Sequence, residues 1–202
     1  MRDRIAIIGW GSLIWDLDDL VPHVAEPWAL GAGPALPLEF SRISPKRRMG
    51  LVVCIDPDLG VPCRTHAIPS RRSDPAEARA DLARRERAPL DLVGWVCARS
   101  GRAEGRAADR VADWCEATGA AGAVWTDLRP NWAEHRTEPF ALDAAEAYLA
   151  SLTGEARAEA VRYIENAPKE TDTPLRRHLS TRDWWREAAA ALSRPAALPS
   201  SP

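Results

Sequence analysis

The sequence predicts a mixed α+β fold, with about six strands covered on the outside by about three or four helices. An apolar run at residues 4–10 ends in glycines, and three short strand-like stretches follow between residues 38 and 68. After residue 140 the apolar positions take the spacing of helices. Short apolar runs bounded by turn residues are typical of strands, whereas a repeat of three to four residues is typical of helices. We therefore expect one mixed domain without internal repeats.

The first half of the chain predicts one buried strand, a loop and then three short strands. Residues 4–10 are the buried strand. Residues 16–37 are interpreted as a loop with room for a short helix, because they are acidic and then rich in proline and glycine. The three further strands are predicted at residues 38–44, 51–56 and 61–68. Residues 56–60, Asp-Pro-Asp-Leu-Gly, favour a turn, so the last two strands are predicted to form a hairpin.

Helices and strands alternate in the second half. A helix is predicted to begin after Ser73 or Asp74, since either side chain can cap a first turn that contains proline. It is predicted to end near Arg87, because Pro89 cannot continue it. Further elements are predicted as a strand at 92–98, a helix at 107–118, a strand at 121–128, and helices at 142–152 and 155–165.

The last part of the chain is predicted to extend the main domain. We assign residues 1–168 to that domain, and residues 169–202 to a C-terminal helical extension made of a short amphipathic helix and a flexible tail. The short helix carries the pair Trp184-Trp185. The pair could cap a pocket, pack on the sheet or bind a partner, and the sequence leaves these three possibilities open.

Composition and charge argue against several classes of function. The net charge is -2 and the isoelectric point is about 6.1, so no basic surface for nucleic acid is expected. No apolar stretch approaches the roughly 20 residues that span a bilayer, so no membrane partner is expected. The first residues also lack the apolar region of a signal peptide, which predicts a cytoplasmic protein.

The four cysteines are predicted to be reduced thiols that are buried or half-buried. They are Cys54, Cys63, Cys97 and Cys115, and no two of them form a C-x-x-C pair. The sequence Cys63-Arg-Thr-His66 has the spacing of two metal ligands, but no second pair follows at the distance of a zinc finger. No metal site is therefore expected.

The stretch at residues 4–15, RIAIIGWGSLIW, places two glycines directly after the first strand. A dinucleotide-binding fingerprint needs a third glycine, and Ile14 occupies that position. A phosphate-binding P-loop is excluded because the chain contains no Gly-Lys-Ser or Gly-Lys-Thr sequence. Ser12 lacks the G-x-S-x-G frame of a serine nucleophile, and no histidine has a supporting motif. The glycines therefore indicate a different kind of loop.

The segment Trp10-Gly11-Ser12-Leu13 resembles the Tyr-Gly-Ser-Leu loop of the gamma-glutamylcyclotransferase-like superfamily. In that family the loop closes the first strand, and its backbone N–H groups hold the gamma-glutamyl part of the substrate. The strands that follow, and a helix that ends in Arg85-Glu86 and leads into the next strand, are also similar to the family. The resemblance covers roughly residues 5–130. It implies a small, mostly antiparallel barrel-like sheet with surrounding helices.

The resemblance also implies a reaction, in which the substrate's α-amine attacks its own γ-carbonyl group. The products are 5-oxoproline and the released amine, and neither a cofactor nor a metal is required. Glu86 would be the acid/base, and the glutamyl pocket would be lined by Trp10, Gly11, Ser12 and Leu13. Arg42 is a candidate to bind a substrate carboxylate, since a guanidinium pairs well with one. The leaving group stays open among an amino acid, a peptide such as glutathione, a polyamine and an antibiotic amine.

Two departures from the family pattern keep other functions open. Trp10 replaces the usual tyrosine, and the tyrosine that often follows the catalytic glutamate in the next strand is missing. A binding module without activity, or an enzyme with different amide chemistry, therefore stays possible. Glu86 also lies in an arginine-rich run that is typical of a solvated helix end. A catalytic Glu86 must point into a pocket beside the Gly11–Leu13 turn, whereas a solvated one must not. The oligomeric state is left open.

Overall fold

The computed structural model describes residues 1–25 and 27–193, and over these residues the chain folds into two sheets and a set of helices. The described strands are β1 (Ile5–Gly9), β2 (Ala35–Ser44), β3 (Gly50–Ile55), β4 (Val61–Arg64), β5 (His66–Pro69), β6 (Val93–Cys97), β7 (Arg102–Glu104) and β8 (Gly122–Thr126). The described helices are α1 (Pro75–Glu86), α2 (Ala108–Thr118), α3 (Trp132–His135), α4 (Leu142–Ser151), α5 (Gly154–Asn166), α6 (Pro174–Ser180) and α7 (Asp183–Ser193). No helix in these ranges has both the length and the apolar content to cross a membrane.

The predicted α+β class is confirmed, but the described strands form two open sheets instead of a closed barrel. The larger sheet has the order β5-β1-β8-β6-β7, and β1 and β8 are its one parallel pair among the described strands. The smaller sheet has the order β3-β2-β4 and is antiparallel. The chain passes from one sheet to the other at Thr65, where β4 ends and β5 begins. Gly33 packs so closely there that a Cβ atom would lie 2.3 Å from Thr65 Oγ1.

The predicted hairpin at residues 56–60 is wrong, because β3 and β4 lie on opposite edges of β2. The turn carries the chain across β2: the Asp56 backbone N–H donates to the Pro37 carbonyl at 2.9 Å. A Cβ atom at Gly60 would lie 2.5 Å from the carbonyl carbon of Pro37, so only glycine fits this crossing. The single strand predicted at 61–68 is correspondingly two strands, one in each sheet.

Helix α1 follows its sequence signals and ends at Glu86. The Asp74 side chain caps it by accepting from the Ala76 backbone N–H at 2.9 Å. Its buried face, which includes Leu82, packs on β1 and β8 of the larger sheet. The helix ends where Arg87 takes a left-handed φ of 51°. The last residue of α1 therefore lies beside the carboxyl end of β8.

Helices α5, α6 and α7 share one hydrophobic core with the smaller sheet. Leu175 and Trp185 are buried in the same cluster as Phe40 of β2. The carboxylate of Glu39 is also buried there, and its oxygens accept from the backbone N–H of Phe40 at 2.7 Å and of Leu175 at 3.2 Å. Burial raises the pKa of Glu39 above its ordinary value. Side chains on both sides of residue 168 thus pack together. The predicted flexible tail at the end of the chain falls on residues outside the described ranges.

Replacing Glu39 tests how firmly the C-terminal helices are joined to β2. In Glu39→Ala the amides of Phe40 and Leu175 lose their acceptor. We expect the free energy of unfolding to fall by about 2 kcal/mol, the cost of leaving buried donors unpaired. Urea unfolding measures the change. The exposed Glu116→Ala is the control and should stay within about 0.5 kcal/mol of the wild type. Equal stability of the two variants would contradict the structural role of Glu39.

Candidate active site

A cavity of about 840 Å³ opens where the two sheets meet. Its wall is formed by the end of β1 and the turn after it, by parts of β2 and β3, by the end of α1 and by one side chain of α5. Its volume lies within the range of roughly 300–1,000 Å³ that is typical of sites for small molecules. The cavity is therefore the candidate site for a small ligand.

The glycine turn that follows β1 forms one side of this cavity. Residues Gly11–Ile14 form a single 3-10 turn, and Gly11 begins it with a φ of +63°. Residues other than glycine adopt this backbone conformation only with strain. A Cβ atom at Gly11 would also lie 2.8 Å from the Tyr163 hydroxyl oxygen and from Val53 Cγ1. Gly11 is thus required both by its backbone conformation and by the close approach of α5 and β3.

The Glu86 carboxylate lies in the cavity wall and its side chain is only 14% exposed. Its Oε1 atom accepts a hydrogen bond from Arg85 Nη1 at 2.6 Å and another from Thr126 Oγ1 at 3.2 Å. Within the described part of the chain, no hydrogen bond or ion pair reaches Oε2. The carboxylate is therefore held in place through one oxygen, while the other is available to a ligand. This geometry does not fit the interpretation of Glu86 as a solvated helix end.

The structure brings the other sequence-predicted site residues to the same cavity, with one exception. Trp10, Ser12, Leu13 and Arg42 line it together with Glu86. Gly11 is buried behind the wall and shapes the turn without lining the cavity. Their roles toward a substrate stay predictions.

Positive charge exceeds negative charge in the cavity wall. Arg47 is paired with Glu159 at 3.0 Å, and Arg87 with Asp18 at 3.2 Å. Arg42 instead donates to the Arg129 carbonyl at 2.6 Å, and Lys46 donates to the backbone carbonyl of Glu86. Neither of these last two cations has an acidic partner among the described ion pairs. Burial lowers the pKa of Lys46, although the nearby Glu86 charge opposes this.

The sequence assigned no role in the site to three residues that the structure places there. Thr126 ends β8 and Arg85 precedes Glu86, and both fix the carboxylate. The Arg85 guanidinium also donates to the Asp16 carbonyl, which ties the end of α1 to the loop after the glycine turn. Tyr163 reaches the cavity from α5. A tyrosine on the apolar face of a helix is typical of a core residue, so its sequence position gives no signal of a site.

The tryptophan pair lies away from the cavity. Trp185 is buried and donates through its indole N–H to Glu165 Oε1 at 2.6 Å, and Trp184 donates to Glu146 Oε1 at 2.9 Å. Neither ring is among the residues that line the cavity. Of the three possibilities that the sequence left open, the structure shows packing, on the helices instead of on a sheet.

The four cysteines are free thiols and do not contribute to the cavity wall. Burial raises the pKa of Cys54 to about 12 and that of Cys115 to about 11. Thiols with such high pKa values stay protonated at neutral pH and are poor nucleophiles and metal ligands. Cys54 and Cys115 are therefore part of the packing, whereas Cys97 is half-buried and the side chain of Ser100 lowers its pKa.

One cluster of potential metal ligands occurs in the described ranges, on helices α4 and α6. It consists of Asp143, Glu146 and His178. Arg182 already lies among these groups, with its guanidinium 2.9 Å from Glu146 and 3.6 Å from Asp143. The cluster therefore carries its own counterion, and none of its members lines the cavity.

No protein-family model, no curated protein and no solved structure matches this chain. The function must therefore be argued from the cavity and from the chemistry of the side chains around it.

Replacing Gly11 tests the close approach that shapes the glycine turn. Gly11→Ala places a methyl group against Tyr163 and Val53, and Gly101→Ala is the matched control. Gly101 has nearly the same φ of +65°, but a Cβ atom there meets nothing within 4 Å. We expect Gly11→Ala to lower the free energy of unfolding by about 1–3 kcal/mol more than the control does, the usual cost of overpacking. Urea unfolding of both variants measures the difference, and equal losses would show that only the backbone conformation matters.

Proposed function

We propose that this protein is a gamma-glutamylcyclotransferase-type enzyme, which cyclises a small gamma-glutamyl amide or peptide to 5-oxoproline and releases the amine. The observation that carries this proposal is the placement of Glu86. Its carboxylate is fixed through Oε1 by Arg85 and Thr126, and it faces the cavity beside the turn at Gly11–Ile14. The resemblance of the glycine turn to the family loop supports the same activity.

The first role of Glu86 in the proposed reaction is that of a base. The α-amine of the substrate is an ammonium group at neutral pH and cannot attack until it loses a proton. The free Oε2 atom of Glu86 accepts this proton, and the neutral amine then forms a C–N bond to the γ-carbonyl carbon. The electron pair of the carbonyl double bond moves to its oxygen, which gives a tetrahedral intermediate.

The second role of Glu86 is that of an acid. As the intermediate collapses, the carbonyl double bond is restored and the bond to the leaving nitrogen breaks. Two protons leave the attacking nitrogen in the whole reaction, and the leaving nitrogen gains two. Glu86 transfers them one after the other and is ionised again at the end. No electron acceptor or other reactant is needed, because the substrate supplies every atom of the products and Glu86 only carries protons between its two nitrogens.

Positioning supplies much of the rate in such a reaction. Attack within one molecule avoids the entropy cost of bringing two reactants together, so the site must mainly hold the glutamyl chain in a folded shape. Trp10 and Leu13 supply buried apolar walls for the methylene groups, while Arg42 supplies a positive charge for a carboxylate. The cavity thus offers groups suited to each part of a glutamyl unit.

The proposed compartment is the cytoplasm. All four cysteines are free, which agrees with a reducing environment. The proposed partner is a small gamma-glutamyl compound.

A 5-oxoproline release assay tests the proposed function. Purified protein is given gamma-glutamyl amino acids, glutathione and gamma-glutamyl amines, and wild type is compared with Glu86→Gln. We expect turnover of at least one compound and a loss of about 10²–10⁴-fold in kcat for Glu86→Gln, the usual contribution of a general acid/base. Glu77→Gln, on the exposed first turn of the same helix, is the control and should retain the wild-type kcat.

The other outcomes point to different conclusions. Full activity in Glu86→Gln would contradict the assignment of the base but not the reaction. Binding of these compounds by calorimetry without any 5-oxoproline would favour a binding module on the same cavity. Neither binding nor turnover across the panel would overturn the proposal.

A further inference from the structure

Tyr163 reaches the wall of the candidate active site from α5, and its hydroxyl oxygen lies beside the glycine turn, 2.8 Å from the position that a Cβ atom at Gly11 would take. The residue is 7% exposed. Its ring is fixed by edge contacts with Trp15 and Phe40, whose ring centroids lie 5.8 and 6.3 Å away, and the Arg47 guanidinium lies 5.4 Å above it. Such contacts leave the ring little freedom to rotate. The hydroxyl is therefore held at one point beside the glycine turn.

Within the described ranges, the surroundings of this hydroxyl place donors near its oxygen but no acceptor for its proton. The backbone N–H groups of Ser12 and Val53 lie near its oxygen and act to lower the pKa of Tyr163. No acceptor for its own proton occurs among the residues that the structure describes. Burial raises the pKa of Tyr163 to about 12, and the nearby Glu86 charge acts in the same direction. The phenol therefore keeps its proton at neutral pH, and that proton is available to an acceptor in the cavity.

We propose that Tyr163 is a catalytic residue whose hydroxyl donates a hydrogen bond to the γ-carbonyl oxygen of the substrate. This inference rests on the proposed cyclotransferase function. The hydroxyl lies beside the glycine turn, and Glu86 lies close enough for its charge to influence the phenol. A substrate between Glu86 and Tyr163 would thus meet a base at its amine and a donor at its carbonyl oxygen.

The donated bond strengthens as the reaction proceeds. When the amine attacks, the carbonyl electron pair moves to the oxygen, and the developing negative charge is stabilised by the Tyr163 O–H group. The proton stays on the phenol, and the bond weakens again when the carbonyl double bond is restored. A fixed donor is most effective at this step, because it need not reorient.

The chain offers a matched pair of variants, because Tyr148 and Tyr163 are its two tyrosines. Tyr148 donates to the Met49 carbonyl at 2.6 Å and does not line the cavity, so Tyr148→Phe is the control. We expect Tyr163→Phe to lower kcat for 5-oxoproline release by about 10²-fold, the usual loss for one such donor, with little change in KM. Tyr148→Phe should keep the wild-type kcat. If Tyr163 had only a structural role, Tyr163→Phe would lower the melting temperature but would not lower kcat at a nearly unchanged KM.

A second measurement covers the case in which Tyr163→Phe does not fold. In Tyr148→Phe grown with 3-fluorotyrosine, Tyr163 carries the one fluorinated phenol, which is more acidic than tyrosine. A catalytic donor must stay protonated. We therefore expect fluorination to move the alkaline limb of the pH profile of kcat to lower pH. An unmoved limb, or a Tyr163→Phe variant with full kcat, would overturn this inference and leave the cyclotransferase intact. A wild-type protein that turns over no gamma-glutamyl compound would overturn both.

Discussion

The contact between Gly11 and Tyr163 determines the shape of the candidate active site. Gly11 directly follows the end of β1 in the larger sheet, whereas Tyr163 belongs to α5, which packs on β3 of the smaller sheet. The contact thus joins the end of β1 to the smaller sheet, and the cavity lies beside it. A larger residue at position 11 would separate the turn from α5. The turn needs a positive φ at position 11, and α5 can approach only where no side chain is present. Glycine is the residue that meets both requirements.

The position of Glu86 follows from a different and more local cause. The Asp74 cap and Pro75 set where α1 begins, and the left-handed Arg87 sets where it ends. Packing of α1 on β8 then brings its last residue to Thr126, whose hydroxyl holds the carboxylate. A helix shorter by one residue would rotate position 86 by about 100° around the axis, since an α-helix has about 3.6 residues per turn. Helix length and sheet packing together determine where the Glu86 carboxylate points.

This difference in cause explains what the sequence could predict. The bounds of α1 and its terminal glutamate depend on capping and proline rules that act over a few residues, and the prediction there is confirmed. The hairpin at residues 56–60 was wrong because turn residues specify a reversal but not which strand edge the chain then joins. Tyr163 was missed for a related reason. It lies more than 150 residues from Gly11 in the sequence, and only the packing of α5 brings the two together.

The charges of the cavity suggest how a substrate would be oriented in the proposed reaction. Three cations of the wall, Arg47, Arg85 and Arg87, are already paired with carboxylates. Arg42 and Lys46 contact carbonyl oxygens alone, so they keep a net positive charge that a ligand carboxylate would neutralise. In a partly buried cavity such a pairing is less screened than on the surface. A gamma-glutamyl compound carries its α-carboxylate next to its α-amine. A cation that binds the carboxylate therefore also determines where the amine lies, and the reaction requires it at the free oxygen of Glu86.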